Sequence, residues 1–410
     1  MTLEEKQSRE GLLDAALSCV HCGLCYHTLP SLTESERFSD TCPAGLYFGF
    51  DAYYSPGRNE LARAILRGEY PLKESKAIEE IIFSCTTCGA CEATCRYVND
   101  TNVLPVHVTE GIRALLVEQG VGPLPSQKKF AESVKKVDNP YGESSERNMW
   151  IEDQSRRDKL ESDVFYFVGC TTGYRYQDIA KATTTVLETT DTDYSVSSKE
   201  ICCGSPLIRT GQLEDVERLV RENVKVIQES GAKTVIFSCA GCYRTVVKDW
   251  PRILGEDLPF ETIHVTQFMA EKMDSGELEL NEPMDMKIAY HDPCHLGRHM
   301  FPNAVYDEPR KVIDSIPGAK RITLDREMDA TLCCGSGGGV KAGLPEYAEY
   351  IAKLRVSEAR NKGADTFVTA CPFCVRGLED GAKKEASESG DKPLEVIELT
   401  ELVRRAIGGK

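Results

Sequence analysis

The sequence predicts a mixed α/β protein, with an all-helical N-terminal region followed by two duplicated α/β domains that contain parallel sheets. The first observation behind this prediction is the distribution of 18 cysteines, which fall into groups of eight, five and five along 410 residues. The second is a set of short apolar runs in the latter two regions, which end at or near single cysteines and alternate with stretches of helical periodicity. The chain is therefore divided into three cysteine-bearing units.

Composition and charge exclude several classes of protein. With 49 Lys and Arg against 65 Asp and Glu, the formal charge is −16. The sequence has no basic stripe, so we expect no nucleic-acid partner. The 41% hydrophobic content is too high for a disordered chain. No run approaches 18 apolar residues, and the first 20 residues carry acids where an export signal is basic and then apolar. We therefore expect a cytoplasmic protein whose thiols stay reduced.

The N-terminal cysteines have the spacing of metal ligands. Two Cys-x2-Cys-x2-Cys runs, each with a further distant cysteine, are typical of a protein that holds two 4Fe-4S cubanes, in which the distant cysteine closes the other cluster. The first predicted cubane takes Cys19, Cys22, Cys25 and Cys95, and the second takes Cys85, Cys88, Cys91 and Cys42. A pair of four-cysteine zinc sites is the alternative, but zinc sites usually pair two CxxC hairpins.

Two features of this region depart from the usual ferredoxin pattern. Sixteen residues separate Cys25 from Cys42, where three are usual, and Arg96 stands where proline would follow Cys95. We expect the insertion at 27–41 to be a polar surface loop.

The rest of the first 162 residues shows no strand pattern. Apolar residues recur at helical spacing between the two cysteine runs, at Leu61, Ile65 and Leu66 and again at Ile78, Ile81 and Ile82. We therefore predict an all-helical ferredoxin domain over 1–120. Residues 121–162 are polar and rich in turn formers, which favours a linker or a wrapping arm.

From residue 163 onward one pattern occurs twice: a single cysteine, an adjacent pair followed by glycine, and a CxxC motif. The two sets are Cys170, Cys202, Cys203, Cys239 and Cys242, and Cys294, Cys333, Cys334, Cys371 and Cys374. Matching cysteines are 124, 131 and 132 residues apart, from 294 − 170, 333 − 202 and 371 − 239. We predict duplicated domains over 163–275 and 284–410.

The apolar runs VFYFV, TVIFS, KIAY and TFVTA predict buried parallel strands in these domains. Helical patterns follow them at 177–188, 213–230, 345–361 and 375–387. Because ligands of open parallel sheets lie beyond the carboxyl ends of the strands, the thiols that follow these runs should share that edge.

Glycines follow each cysteine pair and are expected to let the backbone approach an inorganic centre closely. They are Gly204 in the first domain and Gly335, Gly337, Gly338 and Gly339 in the second. The run GSGGGV lacks the third glycine of GxGxxG, so we expect no NAD there, and no flavin motif is present.

Five thiolates per domain exceed the four that a zinc ion or a single cubane accepts. Adjacent cysteines also point in different directions, which suits an extended multi-iron centre. We therefore predict an enlarged, non-cubane iron–sulfur centre in each domain. The alternative is a four-ligand cluster with one spare structural cysteine.

On these residues the sequence resembles the cysteine-rich CCG-domain family and, within it, the D subunits of heterodisulfide reductases, which join a two-cluster ferredoxin region to two CCG domains. The resemblance covers nearly the whole chain. It implies that the five cysteines of each CCG motif hold a non-cubane 4Fe-4S cluster. It further implies reduction of the mixed disulfide of coenzyme M and coenzyme B to two thiols at the paired clusters.

The resemblance also implies that electrons pass through the two cubanes from a membrane cytochrome b-type subunit or another redox subunit, with the chain peripheral on the cytoplasmic face of the membrane. Relatives with the same fusion serve instead as electron-transfer subunits of flavin-dependent glycolate and lactate dehydrogenases or of related membrane redox complexes. Many of those lack the second cysteine of the first CxxC motif. Here FSCAGCYRT keeps both Cys239 and Cys242, which favours the disulfide reductase.

Polar residues near the thiols are candidates for further roles. The candidate proton donors are His291, His295 and His299, which surround Cys294 in HDPCHLGRH; the alternative is that they cap a helix or bond to cluster sulfurs. The cations that could orient an anionic substrate are Arg209, Arg244, Lys341 and Arg376; the alternative is that they are solvated surface charges. Asp292 is expected to be structural.

Overall fold

The computed structural model describes residues 9–33, 35, 37–70, 75–99 and 103–408. The N-terminal region is helical, as predicted. Its helices are α1 (Arg9–Leu17), α2 (Pro43–Phe48), α3 (Ser55–Arg67), α4 (Lys76–Phe83), α5 (Ala90–Asn99) and α6 (Pro105–Glu118). Leu12, Ile65, Ile82 and Ile112 form its separate apolar core. Among the described residues from 9 to 118 there is no strand, only an isolated bridge between His27 and Asp40.

The insertion between Cys25 and Cys42 packs against the second duplicated domain. Phe38 is buried, and the guanidinium of Arg326 lies 5.3 Å from its ring centroid. Arg326 also donates to the carbonyl oxygen of Asp40 at 2.7 Å. The expectation of a simple surface loop is therefore wrong for this part of the insertion, because an aromatic side chain anchors it.

Residues 121–162 contain helix α7 (Pro125–Val137) and contact both duplicated domains. Gln127 donates to the carbonyl oxygen of Gly339 at 3.0 Å, and Asn148 donates to that of Ser197 at 2.7 Å. The predicted domain limits remain predictions, but these contacts give the segment a packing role.

Two parallel four-stranded sheets form the duplicated domains. The first has the order β2-β1-β3-β4 and consists of β1 (Val164–Phe167), β2 (Tyr194–Ser195), β3 (Thr234–Phe237) and β4 (Glu261–His264). The second has the order β6-β5-β7-β8 and consists of β5 (Lys287–His291), β6 (Lys320–Ile322), β7 (Thr366–Thr369) and β8 (Glu395–Glu398). The four apolar runs are the central strands β1, β3, β5 and β7, so the predicted fold is confirmed.

Helices cover both sheets. Those of the first domain are α8 (Cys170–Arg175), α9 (Gln177–Thr189), α10 (Ser205–Thr210), α11 (Val216–Glu229), α12 (Ala240–Arg244), α13 (Trp250–Leu254) and α14 (Val265–Asp274). Those of the second are α15 (Asp307–Asp314), α16 (Val340–Gly343), α17 (Pro345–Asn361), α18 (Pro372–Ser389) and α19 (Leu399–Ala406). None of the described helices has the length and apolar character that a bilayer crossing requires.

The two domains pack in a reciprocal manner. Helix α9, which follows the first strand of domain one, packs against α19, which follows the last strand of domain two. Conversely, α14, which follows the last strand of domain one, packs against α15, which comes after the first strand of domain two. This exchange of equivalent elements is the signature of an approximate twofold axis between the domains.

Candidate metal centres

The members of the first predicted cubane surround one cavity of about 270 Å³. The cavity is lined by the four predicted ligands Cys19, Cys22, Cys25 and Cys95, and also by Cys91. Gly23 has a φ of 77°, which allows the tight turn inside the cysteine run. Cys22 is exposed and the other three are partly exposed, so this set, the outer site, opens to the surface.

The members of the second predicted cubane surround a smaller cavity, lined by Cys42, Cys85, Cys88 and Cys91. Three of these thiols are buried and Cys91 is partly exposed. We call this set the inner site. Burial and then the nearby thiol of Cys25 raise the pKa of Cys91 well above its ordinary value, so the two sites adjoin. The assignment of the two sets to two cubanes remains a prediction, and the grouping fits it.

The ten cysteines of the duplicated domains form two five-thiol sites with the same internal order. In the first site, the thiols of Cys170, Cys202, Cys203, Cys242 and Cys239 are neighbours in that order. In the second site, the corresponding neighbours are the thiols of Cys294, Cys333, Cys334, Cys374 and Cys371. Nine of the ten are buried, and Cys294 is partly exposed. All lie beyond the carboxyl ends of strands or at adjoining helix starts, as predicted.

Two thiol contacts connect these sites to one another and to the N-terminal region. Cys239 of the first five-thiol site contacts Cys371 of the second, and both are the first cysteine of a CxxC motif. Cys333 of the second five-thiol site contacts Cys88 of the inner site. The four sites therefore form one continuous row, from the outer site through the inner site and the second five-thiol site to the first.

The donor set fits iron–sulfur clusters. All 18 cysteines are free thiols. Contacts with neighbouring thiols and burial raise the pKa values of Cys202, Cys242 and Cys374 well above the ordinary value. A metal ion that replaces the thiol proton relieves this crowding of buried sulfurs, and soft thiolates select iron–sulfur centres over hard cations.

The glycines after the cysteine pairs let neighbouring backbone segments approach closely. A Cβ on Gly337 would lie 2.6 Å from the carbonyl oxygen of Thr86, and one on Gly338 would overlap that of Cys85. These two glycines therefore leave room for the backbone of the inner-site loop, and their approach to an inorganic centre remains a prediction. Gly204 and Gly335 have φ values of 87° and 81°, which glycine adopts readily, but a Cβ on Gly335 would meet the helix α17 backbone.

The three candidate histidines lie near arginines, and their pKa values are lowered. Burial and then the neighbouring Arg355 lower the pKa of His291 to about 3, and burial and then Arg244 lower that of His295 to about 3. Burial also lowers the pKa of His299, whose Nε2 lies 2.8 Å from the carbonyl oxygen of Thr87. Desolvation and nearby positive charges both disfavour the protonated ring. The role of these histidines as proton donors remains a prediction.

The candidate anion-binding cations are engaged within the protein. Arg209 bonds to Glu110 at 2.5 Å and to Asp249, which also accepts from Arg244 at 2.5 Å. Both arginines are buried, so the alternative of solvated surface charges is wrong for them. The other two are partly buried: Lys341 pairs with Asp380, and Arg376 donates to the Tyr141 hydroxyl at 3.5 Å. Asp292 is a buried acceptor for Arg310, at 2.6 and 3.0 Å.

Arg147 is a site residue that sequence reasoning missed. It lies in the segment expected to be a linker or arm, yet it donates Nη2 to the Cys170 sulfur at 3.2 Å and Nη1 to Glu200 at 2.5 Å. Glu200 also accepts from the backbone N–H groups of Val168 and Gly169, both at 2.9 Å. No motif marks Arg147, because its partners are 23 and 53 residues away.

Arg147→Met should destabilise the first duplicated domain by about 3–5 kcal/mol, because it leaves the buried Glu200 without its counter-charge. The measurement is the midpoint of thermal unfolding of anaerobically purified protein, followed by circular dichroism. Arg218→Met is the control, since Arg218 pairs with the exposed Asp138 and should contribute less than about 1 kcal/mol. Equal midpoints for the two variants would contradict the role of Arg147.

The fold and the thiol sites define an iron–sulfur redox protein. The family model for the cysteine-rich CCG domain matches residues 164–246 and 288–379, and the model for the 4Fe-4S dicluster domain matches residues 15–98. The D subunit of dihydromethanophenazine:CoB–CoM heterodisulfide reductase from Methanosarcina barkeri is 38% identical over an alignment of 397 positions, and this alignment covers 95% of this chain and 94% of that protein.

Two further proteins are similar. The B subunit of fumarate reductase (CoM/CoB) from Methanothermobacter marburgensis is 34% identical, over 94% of this chain and 71% of that protein. A solved structure of a hypothetical protein from Helicobacter pylori has a TM-score of 0.51 at 12% identity, over the whole of this chain and 74% of that one, and it shares the fold. The chain belongs to the family of heterodisulfide reductase D subunits, as its sequence predicts. It is an iron–sulfur subunit of an oxidoreductase, and its relatives are subunits of redox complexes.

Proposed function

We propose that this chain is the catalytic subunit of a disulfide reductase and that it reduces the mixed disulfide of coenzyme M and coenzyme B to two thiols. The observation that carries the proposal is the contact between Cys239 and Cys371 across the domain interface. It brings two equivalent five-thiol sites face to face. The substrate is taken from the name of the Methanosarcina barkeri relative, which covers almost the same length.

The stoichiometry of the reaction matches a paired site. A disulfide accepts two electrons and two protons to become two thiols, whereas an iron–sulfur centre supplies electrons one at a time. The two five-thiol sites meet at an approximate twofold axis. Each site can therefore supply one electron to one sulfur atom of the substrate. We therefore assign a non-cubane 4Fe-4S cluster to each five-thiol site, and cubanes to the outer and inner sites.

Partly exposed residues near the contact between the two five-thiol sites support a route by which a small molecule could enter from solvent. Cys294, His295 and His299 are all partly exposed, whereas His291 is buried and accepts a hydrogen bond from Arg355 at 3.4 Å. A Cβ on Gly241 would lie 3.7 Å from Nδ1 of His295 and 3.6 Å from the sulfur of Cys239. His295 is therefore the histidine that we expect to contact the substrate.

The order of the thiol sites supports electron transfer from the outer site through the inner site to the five-thiol sites. The outer site opens to the surface, and the inner site contacts the second five-thiol site. A separate redox subunit, of the membrane cytochrome b type, would deliver electrons at the outer site. The chain would then lie peripherally on the cytoplasmic face of the membrane.

The purified chain, reduced chemically in the absence of other subunits, should cleave the coenzyme M–coenzyme B disulfide. Thiol release is the measurement, and four 4Fe-4S centres should bring iron to about sixteen atoms per chain. A fully iron-loaded chain that cleaves no disulfide would instead support an electron-transfer subunit of a flavin-dependent dehydrogenase or related complex. Eight irons with two zincs would contradict the assignment of the five-thiol sites.

A further inference from the structure

Three buried arginines surround the inner site. They are Arg58, Arg113 and Arg298, whose exposed fractions are 4%, 0% and 3%. Arg58 belongs to α3 and Arg113 to α6, whereas Arg298 starts a 3-10 turn, Arg298–Met300, of the second duplicated domain. We call these residues the arginine triad.

Each guanidinium of the triad bonds to a segment that carries one of the inner-site thiols. Arg58 donates to the sulfur of Cys42 at 3.8 Å, Arg113 to the carbonyl oxygen of Cys85 at 2.6 Å, and Arg298 to the carbonyl oxygen of Cys88 at 2.9 Å. Further hydrogen bonds of the triad also go to carbonyl oxygens, those of Tyr53, Ile82, Arg209, Asp329, Thr331 and Gly338. Three positive charges therefore converge on one thiol site.

The charges of the triad lack carboxylate partners. Within the part of the chain that the structure describes, no Asp or Glu forms an ion pair with any of the three, whereas the buried Arg147 and Arg326 pair with Glu200 and Glu358. The Nη2 group of Arg298 is buried and has no hydrogen-bond partner among those residues. A buried cation without a counter-charge is costly, so the triad indicates that a negative group is held at its centre.

We propose that the arginine triad compensates the negative charge of a cluster at the inner site and makes that centre easier to reduce than the outer one. The inference rests on the proposed assignment of cubanes to these two sites. One-electron reduction adds a negative charge, which burial alone would oppose. The potential of an iron–sulfur centre depends on its net charge, on hydrogen bonds to its sulfurs and on its exposure.

The outer site offers no comparable set of charges among the described residues. Arg63 donates to the carbonyl oxygen of Cys19 at 2.6 Å, but it also pairs with Glu60 at 2.9 Å. Exposure to water favours reduction there, but three unpaired charges at low dielectric act more strongly than the same charges in water. The expected order of potentials draws electrons from the surface to the inner site, next to Cys333 of the second five-thiol site.

The test is a redox titration of the full iron-loaded chain, monitored by electron paramagnetic resonance. The signal that is lost in Cys88→Ser identifies the inner centre. Arg298→Gln and Arg58→Gln should each shift the midpoint potential of that signal to a lower value. Arg298→Lys should retain most of the wild-type potential, because it keeps the positive charge.

Arg326→Gln is the matched control, because Arg326 is equally buried but its charge is compensated by Glu358. It should leave the potential of the inner centre unchanged. The two glutamine variants lie on different elements, and either one that retains its iron decides the question. An unshifted potential in such a variant, or a wild-type inner centre of lower potential than the outer one, would overturn the inference. Failure of the proposed function would appear separately, as the absence of disulfide cleavage by wild-type protein.

Discussion

Cys203→Ser and Cys334→Ser should each abolish reduction of the coenzyme disulfide by the iron-loaded chain. The two cysteines occupy equivalent positions in the five-thiol sites, and each bridges two other thiols of its set. Two electrons must reach one disulfide, and each five-thiol site supplies one of them. Loss of either site therefore stops the reaction. The double variant should be no worse than either single variant, since parts that act together are lost together. Thiol release with a chemical reductant is the measurement.

Cluster content is the control for this experiment, because loss of a ligand can unfold a domain and resemble a catalytic defect. Iron quantitation and circular dichroism should therefore accompany each assay. A mechanism with one active site predicts asymmetry, with one variant inactive and the other only slowed. Near-normal turnover in a Cys203→Ser protein that has lost the first cluster and kept the second would refute the paired site.

Cys88→Ser should abolish turnover with the physiological electron donor but leave activity with a small reducing dye. Cys88 belongs to the inner site, which connects the outer site to the second five-thiol site through the contact with Cys333. Removing it should interrupt the row of centres without changing the face where Cys239 meets Cys371. The measurement compares thiol release with the physiological donor and with the dye.

A second variant, Cys22→Ser, affects the outer site at its most exposed thiol. It should give the same pattern, since both sites precede the five-thiol sites in the row. Equal loss of dye-driven and donor-driven activity in Cys88→Ser, with both five-thiol centres intact, would show that the inner site has a role other than electron relay.

The central strands and the grouping of the thiols could be predicted from the amino-acid sequence. After the first residues of β3 and β5, every residue of strands β1, β3, β5 and β7 is buried. Each strand therefore contains a continuous apolar run that needs no tertiary information to be found. Their edge partners β2 and β6 are only two and three residues long, and β4 and β8 begin at exposed residues, so no periodic pattern marks them. The grouping of cysteines was accessible because cluster ligands follow local spacing rules.

The contacts between the thiol sites could not be predicted from the sequence and required the folded structure. The contacts between Cys88 and Cys333 and between Cys239 and Cys371 join residues that are far apart in the chain and lie on different elements. The same holds for Arg298, which reaches the Cys88 carbonyl oxygen over 210 residues, and for Arg147, which lies outside every recognisable motif. Such contacts depend on how folded surfaces pack, and the same packing places Arg244 near His295 and lowers the pKa of that histidine. Neither the packing of distant segments nor its effect on pKa values can be predicted from the spacing of residues along the chain.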